Sequence, residues 1–451
     1  MPSPRDDSLP ERIGKYRVLR KLGEGATSEV FLARDDFRGQ EVAIKRVRAH
    51  ALPAGAGRSA APSRGRGNSR FFAAEAALVG RLQHPNVVQI LDAVPDAAGP
   101  FLVMEHVPGI TLRRFCRADA LLALEQVVEI GFKLAMALGY VYRQGLIHRD
   151  VKPANILAVV EREQVVDVKI TDFGSVLNLR SDHTQVFRVG SLAYMAPEQL
   201  DGADIDCRAD IYGLAAVLYH LVAGRPPFDA ATQQALMHQI YTVEPPSLQG
   251  LREGVPASLD ALIRQALAKR PQDRPASWDA FAQGLSALVA NREVARGRLQ
   301  GVLDSERFNL LRSLDFFSGF GDVELWEVVH RAKWQRFKPG HAIYTRGEEG
   351  NDFHILAQGE VEVVRDGKKV ATLGAGTSVG EMAYLAPNAD LRRHSTDVTV
   401  TQPCTSISFT PQTLEALSPA TRHLFDGAFI RVLVRRLHAA HEALAHPRRI
   451  L

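Results

Sequence analysis

Cysteine is scarce. The 451 residues hold three, Cys116, Cys207 and Cys404, far apart and in no metal-ligand spacing. This excludes a disulfide-stapled scaffold, and free thiols in a reducing cytosol are the simplest account. No stretch reaches the roughly 18 uninterrupted apolar residues of a membrane span. The most apolar one, Ile211 to Ala223, contains Tyr212 and His220 and reads as a buried helix. The start, Met1 to Asp7, lacks the apolar core of a signal peptide, so a cytoplasmic location is expected. An excess of one charge is lacking too: 55 basic and 51 acidic residues leave a net +4, without the concentrated basic face of a nucleic-acid binder. With 46% hydrophobic and 24% charged residues the chain is neither disordered nor collagenous. Its length suggests about two or three domains.

The texture changes along the chain. A tail, 1–15, precedes strand-like alternation over 16–47, where Tyr16-Arg17-Val18-Leu19, Glu29-Val30-Phe31-Leu32-Ala33 and Val42-Ala43-Ile44-Lys45 are separated by turns. Residues 51–70 hold four Gly, two Pro, three Ser and four Arg without an acid, a flexible basic insertion. The period then becomes helical: Phe71 to Leu82 reads as a helix, and longer ones are expected near 121–144, 208–223, 257–269 and 277–290. Residues 291–307 are polar and read as a linker. From 335 to 409 short strands are split by turns at Pro339-Gly340, Glu349-Gly350, Gln358-Gly359 and Asp366-Gly367, the pattern of a β-roll or barrel, and 411–445 returns to helix.

Several segments carry chemistry. Leu22-Gly23-Glu24-Gly25-Ala26-Thr27-Ser28 is a glycine turn between strands, whose backbone N–H groups can approach phosphate closely. Lys45 ends an apolar strand, and a buried ammonium requires anionic partners; Glu75 is the nearest candidate. Ile147-His148-Arg149-Asp150-Val151-Lys152-Pro153-Ala154-Asn155, Thr171-Asp172-Phe173-Gly174 and Met195-Ala196-Pro197-Glu198 follow in order. With these five motifs the segment from Tyr16 to about 290 resembles the eukaryotic-like serine/threonine protein kinases, including their bacterial members.

The resemblance implies a bilobal kinase fold using ATP and Mg²⁺. It makes Asp150 the base for the acceptor hydroxyl and Lys152 the holder of the transferring phosphate. Asn155 and Asp172 become ligands of Mg²⁺, an ion that prefers oxygen, and Lys45, braced by Glu75, holds the other phosphates. Leu22, Gly23, Gly25, Val30, Ala43, Met104, Glu105 and Val107 would frame the nucleotide. Ser28 stands where the usual loop has its third glycine. Lys152 and Ser191 resemble the residues that select serine and threonine acceptors in protein substrates. Thr184, then Ser181, are the candidate activating phosphosites. Asp210 would hold the catalytic-loop backbone, although spacing alone suggests a helix N-cap, and Glu198 and Arg274 would form an ion pair.

Residues 308–445 resemble the cyclic nucleotide-binding domain, a β-roll with flanking helices, through Lys338-Pro339-Gly340, Gln358-Gly359-Glu360 and Gly376-Thr377-Ser378-Val379-Gly380-Glu381. The whole chain is therefore expected to be α+β. The second resemblance implies cAMP or cGMP as effector, with the phosphate at Gly380, Glu381 on the ribose hydroxyl and Arg393, or else Arg392, neutralising the phosphate. The loop Ala386 to Leu391 is slightly long and Asp397 adds an anion nearby, so a degenerate domain used for docking stays open. No DNA-reading module follows, and the helical histidines His438, His441 and His446 read as solvated. The alternative to an active kinase is a pseudokinase scaffold; intact Lys45, Glu75, Asp150, Asn155 and Asp172 favour catalysis.

Overall fold

The computed structural model describes residues 9–24, 28–47, 72, 75–96, 99–175, 177–178, 192–294, 304–386 and 392–445. The insertion 51–70, Gly25, Ser181, Thr184, Ser191, His446 and residues 295–303 of the expected linker lie outside them. The chain forms two compact units, Met1–Leu299 and Gln300–Leu451.

The first unit begins with an antiparallel sheet of β1 (Arg12–Ile13), β2 (Tyr16–Glu24), β3 (Ser28–Asp35), β4 (Gln40–Val47), β5 (Ile90–Val94) and β6 (Phe101–Glu105), in the order β1-β2-β3-β4-β6-β5. The period of two puts Phe31 and Ala33, Val42 and Ile44, and Phe101 and Val103 into one buried cluster with Ile13 and Tyr16. Between β4 and β5, the helix expected from Phe71 to Leu82 is cut short. Phe72, Glu75 and Ala76 are helical, and 77–81 are turns closed by three-residue bonds such as Leu78 N–H to the Glu75 carbonyl. Gly80, at φ +69°, and Pro85 beyond it account for the break.

The rest of this unit comprises β7 (Ile110–Thr111), α1 (Leu124–Arg143), β8 (Leu146–Ile147), β9 (Ile156–Glu161), β10 (Gln164–Ile170), β11 (Leu177–Asn178), α2 (Pro197–Asp201), α3 (Cys207–Ala223), α4 (Gln233–Thr242), α5 (Ala257–Ala266) and α6 (Trp278–Ala290). The apolar stretch from Ile211 to Ala223 lies in α3, which is buried on nearly every side. Among the described residues no helix is long and apolar enough to cross a membrane. Gly131 lets α1 approach its neighbours closely: a Cβ there would stand 2.9 Å from Leu218 and 3.2 Å from Leu285.

The second unit runs α7 (Asp304–Ser313), α8 (Asp322–Arg331), β12 (Lys333–Phe337), β13 (Ala342–Tyr344), β14 (Phe353–Arg365), β15 (Lys368–Gly374), β16 (Ser378–Val379), α9 (Glu381–Tyr384), β17 (Asp397–Phe409), α10 (Pro411–Glu415) and α11 (Pro419–Ala445). The turn expected at Gln358-Gly359 is absent. β14 continues through it with register shifts against β17, and Gly359 absorbs the irregularity at φ +88°; a Cβ there would clash with the Pro403 carbonyl, so only glycine admits it. β17 lies between β12 and β14 and also pairs with β13. Leu356, Val361, Val379, Val398, Val400 and Cys404 fill the roll. Outside it, Phe425 and Phe429 of α11 meet Phe316, Phe317 and Phe320 on one side and Phe353 and Phe409 of the sheet on the other, with ring centroids between 4.9 and 6.4 Å, which fixes α11 to the sheet. Leu433 of α11, by contrast, is exposed.

Candidate active site

β4 delivers Lys45 to the centre of the first unit. Its Nζ donates to Glu75 Oε1 at 2.7 Å and to Asp172 Oδ1 at 2.6 Å, joining three distant segments of the chain. Burial lowers the affinity of Lys45 for its proton, but the two carboxylates outweigh that and raise its pKa. Burial pushes Glu75 up to about 7, against the pull of Lys45. Burial also opposes ionisation of Asp172, yet the Lys45 charge and hydrogen bond hold its carboxyl below the usual range. Asp172 sits at φ +68° and Arg149 at +63°, left-handed conformations that cost free energy in non-glycine residues and need anchoring.

Asp210 supplies much of that anchoring. Its carboxylate, buried in α3, accepts from the His148 and Arg149 backbone N–H groups at 2.7 and 2.8 Å. The N-cap of α3 is Asp206 instead, accepting from Arg208 N–H. His148 packs edge-on against Phe173, centroids 4.9 Å apart, and Gln199 donates to the Arg149 carbonyl at 3.0 Å. In the loop, Lys152 Nζ donates to both oxygens of Asp150, at 2.9 and 2.6 Å, and Asn155 Nδ2 donates to the Asp150 carbonyl at 2.8 Å and to Oδ2 at 3.0 Å. Lys45, Glu75, Asp150, Lys152, Asn155 and Asp172 are thus tied into two networks.

Asn155 Oδ1 and Asp172 Oδ2 take no part in the hydrogen bonds above, and two oxygen donors suit Mg²⁺. Val30 lies opposite Lys45 and Gly23, and Ala43 lies opposite Met104. Ala43, Met104 and Val107 are buried, Leu22 is exposed, and Glu105 is fixed by Lys169 at 2.8 Å. Sequence reading missed that last pair, the His148–Phe173 stack and the Gln199 bond; no local pattern marks contacts between such separate segments. Glu198 and Arg274 do meet, in a bidentate pair at 2.6 and 2.8 Å.

In the second unit Gly380, at φ +85°, precedes the single turn α9. Tyr344 lies directly above it, its hydroxyl 2.5 Å from where a Cβ would stand. Glu381 is buried and raised in pKa by that burial; it pairs with Arg436 of α11, which also donates to the Ser378 carbonyl at 2.6 Å. Arg393 is exposed and donates to the Gly347 carbonyl at 2.7 Å, and Arg392 donates to the Ala386 carbonyl at 3.4 Å. Arg436 was not foreseen as the partner of Glu381, because 55 residues separate them. His438 and His441 are exposed, and no cluster able to hold a metal occurs among the described residues.

Residues 334–419 match the family model of the cyclic nucleotide-binding domain. Curated relatives include the serine/threonine-protein kinase PknB of Mycobacterium leprae, 35% identical over 59% of this chain and 41% of that protein. PknB of Mycobacterium tuberculosis is 32% identical over 66% and 46%, and the serine/threonine-protein kinase Pkn1 of Myxococcus xanthus 34% identical over 63% and 40%. The chain spans less than half the length of these relatives. Residues 16–285, more than half the chain, match the protein kinase domain model in the segment that holds these networks, and the chain belongs to the protein kinase family.

Proposed function

We propose that the chain is a serine/threonine protein kinase that transfers the terminal phosphoryl group of ATP to protein hydroxyls. The observation that carries this reading is Lys45 bound at once to Glu75 and Asp172. A scaffold needs no buried ammonium there, whereas phosphoryl transfer needs positioned charge. Asp150 takes the proton of the acceptor hydroxyl, and Lys152, beside it, is placed to neutralise negative charge developing near that oxygen. Asn155 and Asp172 would hold Mg²⁺, which offsets phosphate charge when bound. Three buried free thiols fit a reducing, cytoplasmic compartment. Serine and threonine acceptors are favoured by Lys152 and by the names of the relatives.

The second unit would report cAMP or cGMP to the kinase. Buried Glu381 beneath the glycine turn supports this reading, with Arg393 retained as the proposed phosphate partner. The test is Mg²⁺-dependent transfer from ATP to the full chain itself and to a generic protein, with calorimetric titration of cAMP and cGMP. Transfer establishes the kinase. A bound cyclic nucleotide should change autophosphorylation by about 5–150-fold, the span of common coupling energies, and no binding would leave the unit a docking module.

A further inference from the structure

We infer that Arg113, Arg114 and Arg225 form a cationic rim beside the catalytic loop that selects acceptor segments bearing acidic side chains. This rests on the kinase reading above and names its substrate class.

The rim is tied to the acceptor region by contacts. Tyr194 lines one pocket with Arg149 and Asp150. Its hydroxyl is 2.8 Å from His220 Nδ1, and the two rings stack at 6.1 Å. His220 closes α3, and the backbone of Cys116 lies within its hydrogen-bonding reach. Cys116 caps the short turn Leu112–Phe115 that carries Arg113 and Arg114, and Arg113 is close enough to act electrostatically on both Tyr194 and Cys116. The same segment meets the end of α3 again: a Cβ on Gly224 would stand 3.1 Å from Ala118, and Arg225 follows Gly224.

All three arginines are exposed, and none is in an ion pair among the described residues. The neighbouring carboxylates are largely committed. Asp119, in the same segment, is held by Arg117 at 2.9 Å, and Asp229 is the carboxylate acting on His220. Three free guanidinium forks attract carboxylates and phosphates and repel lysine-rich segments.

The test uses the full chain and peptides with one threonine acceptor flanked by Glu, Gln, Arg or phosphoserine. Wild type should phosphorylate the Glu peptide about tenfold more efficiently than the Gln peptide, with the advantage shrinking at high salt. Arg113→Glu/Arg225→Glu should lose roughly that tenfold on the Glu peptide, through KM, and leave the Gln peptide and the KM for ATP unchanged. A preference seen only with phosphoserine also supports the rim and assigns a previously phosphorylated substrate. A preference for Arg, no discrimination, or equal loss on the Glu and Gln peptides in the variant would overturn the inference. Fluorescence anisotropy of the same peptides separates the two readings. If no peptide is phosphorylated, the kinase reading fails, while tighter binding of the Glu peptide still supports the rim and equal binding refutes it.

Discussion

Replacing Lys45 by methionine should do two separable things. Glu75 and Asp172 each lie within 2.7 Å of the ammonium, so its loss leaves two carboxylates facing each other in a largely buried site. At about 5 Å and an effective dielectric near 20, two unit charges repel by roughly 3 kcal/mol. The Asp172 side chain is 40% exposed, so solvent screening reduces this to about 1–2 kcal/mol. In a unit of this size that corresponds to a fall in Tm of roughly 2–8 °C. The sign with pH follows from Glu75, whose folded pKa lies above its ordinary 4.5, at about 7. The stability it contributes is full below 4.5 and is lost as pH rises through 7, and without Lys45 its pKa rises further. Thermal melting of full-length Lys45→Met against wild type should therefore show a small difference at pH 6 and a larger one at pH 8. Adding Glu75→Gln should recover the stability at pH 8 without recovering phosphoryl transfer. Equal melting of Lys45→Met and wild type at pH 8, or no rescue by Glu75→Gln, would refute the like-charge account.

Three further outcomes are expected. In wild type the transfer rate should climb as pH rises through about 7, because the Lys45–Glu75 pair is complete only when Glu75 is ionised, and Glu75→Gln should flatten that limb of the pH–rate profile. Asp150→Ala should lower turnover by about 10²–10⁴ while ATP affinity measured by calorimetry stays near normal; near-normal turnover would remove Asp150 from the role of base. Arg274→Ala should destabilise the first unit by about 3–5 kcal/mol, since it strands the buried Glu198 carboxylate. Glu198→Met/Arg274→Met should recover most of that in denaturant unfolding, and a loss under 1 kcal/mol in Arg274→Ala would contradict the estimate.

The strands and long helices were legible because their apolar periods are clean, as in β3, β4 and α3. Lys45 stood out because a lysine ends an apolar strand, and the other candidate site residues, such as Asp172, stood out through motifs that resemble those of protein kinases. The helix around Glu75 was misjudged because apolar spacing continues to Leu82 while Gly80 ends the regular backbone earlier. Gly359 looked like a turn, but in a long twisted strand a glycine serves equally to admit a neighbouring carbonyl. Asp210 illustrates the limit of local rules: spacing near a helix start suggested a cap, while the kinase resemblance pointed to the loop backbone, and its carboxylate is indeed turned to the His148–Arg149 N–H groups. Pairs such as Glu105–Lys169 and Glu381–Arg436 depend on folding across 64 and 55 residues, and nothing local announces them.

The central place of β17 has a consequence for how the second unit comes into being. On a ribosome the chain emerges from its N-terminus, and β12, β13 and β14 all appear before the strand that joins them. Until residues 397–409 are outside, those strands have open edges, and the phenylalanines that meet Phe425 and Phe429 have no cover until α11 follows. The β2–β3–β4 meander of the first unit, by contrast, can pair as it emerges, because each strand's partner is adjacent in sequence. The second unit should therefore acquire its structure late and almost at once, and fragments ending before Phe429 should be prone to aggregation.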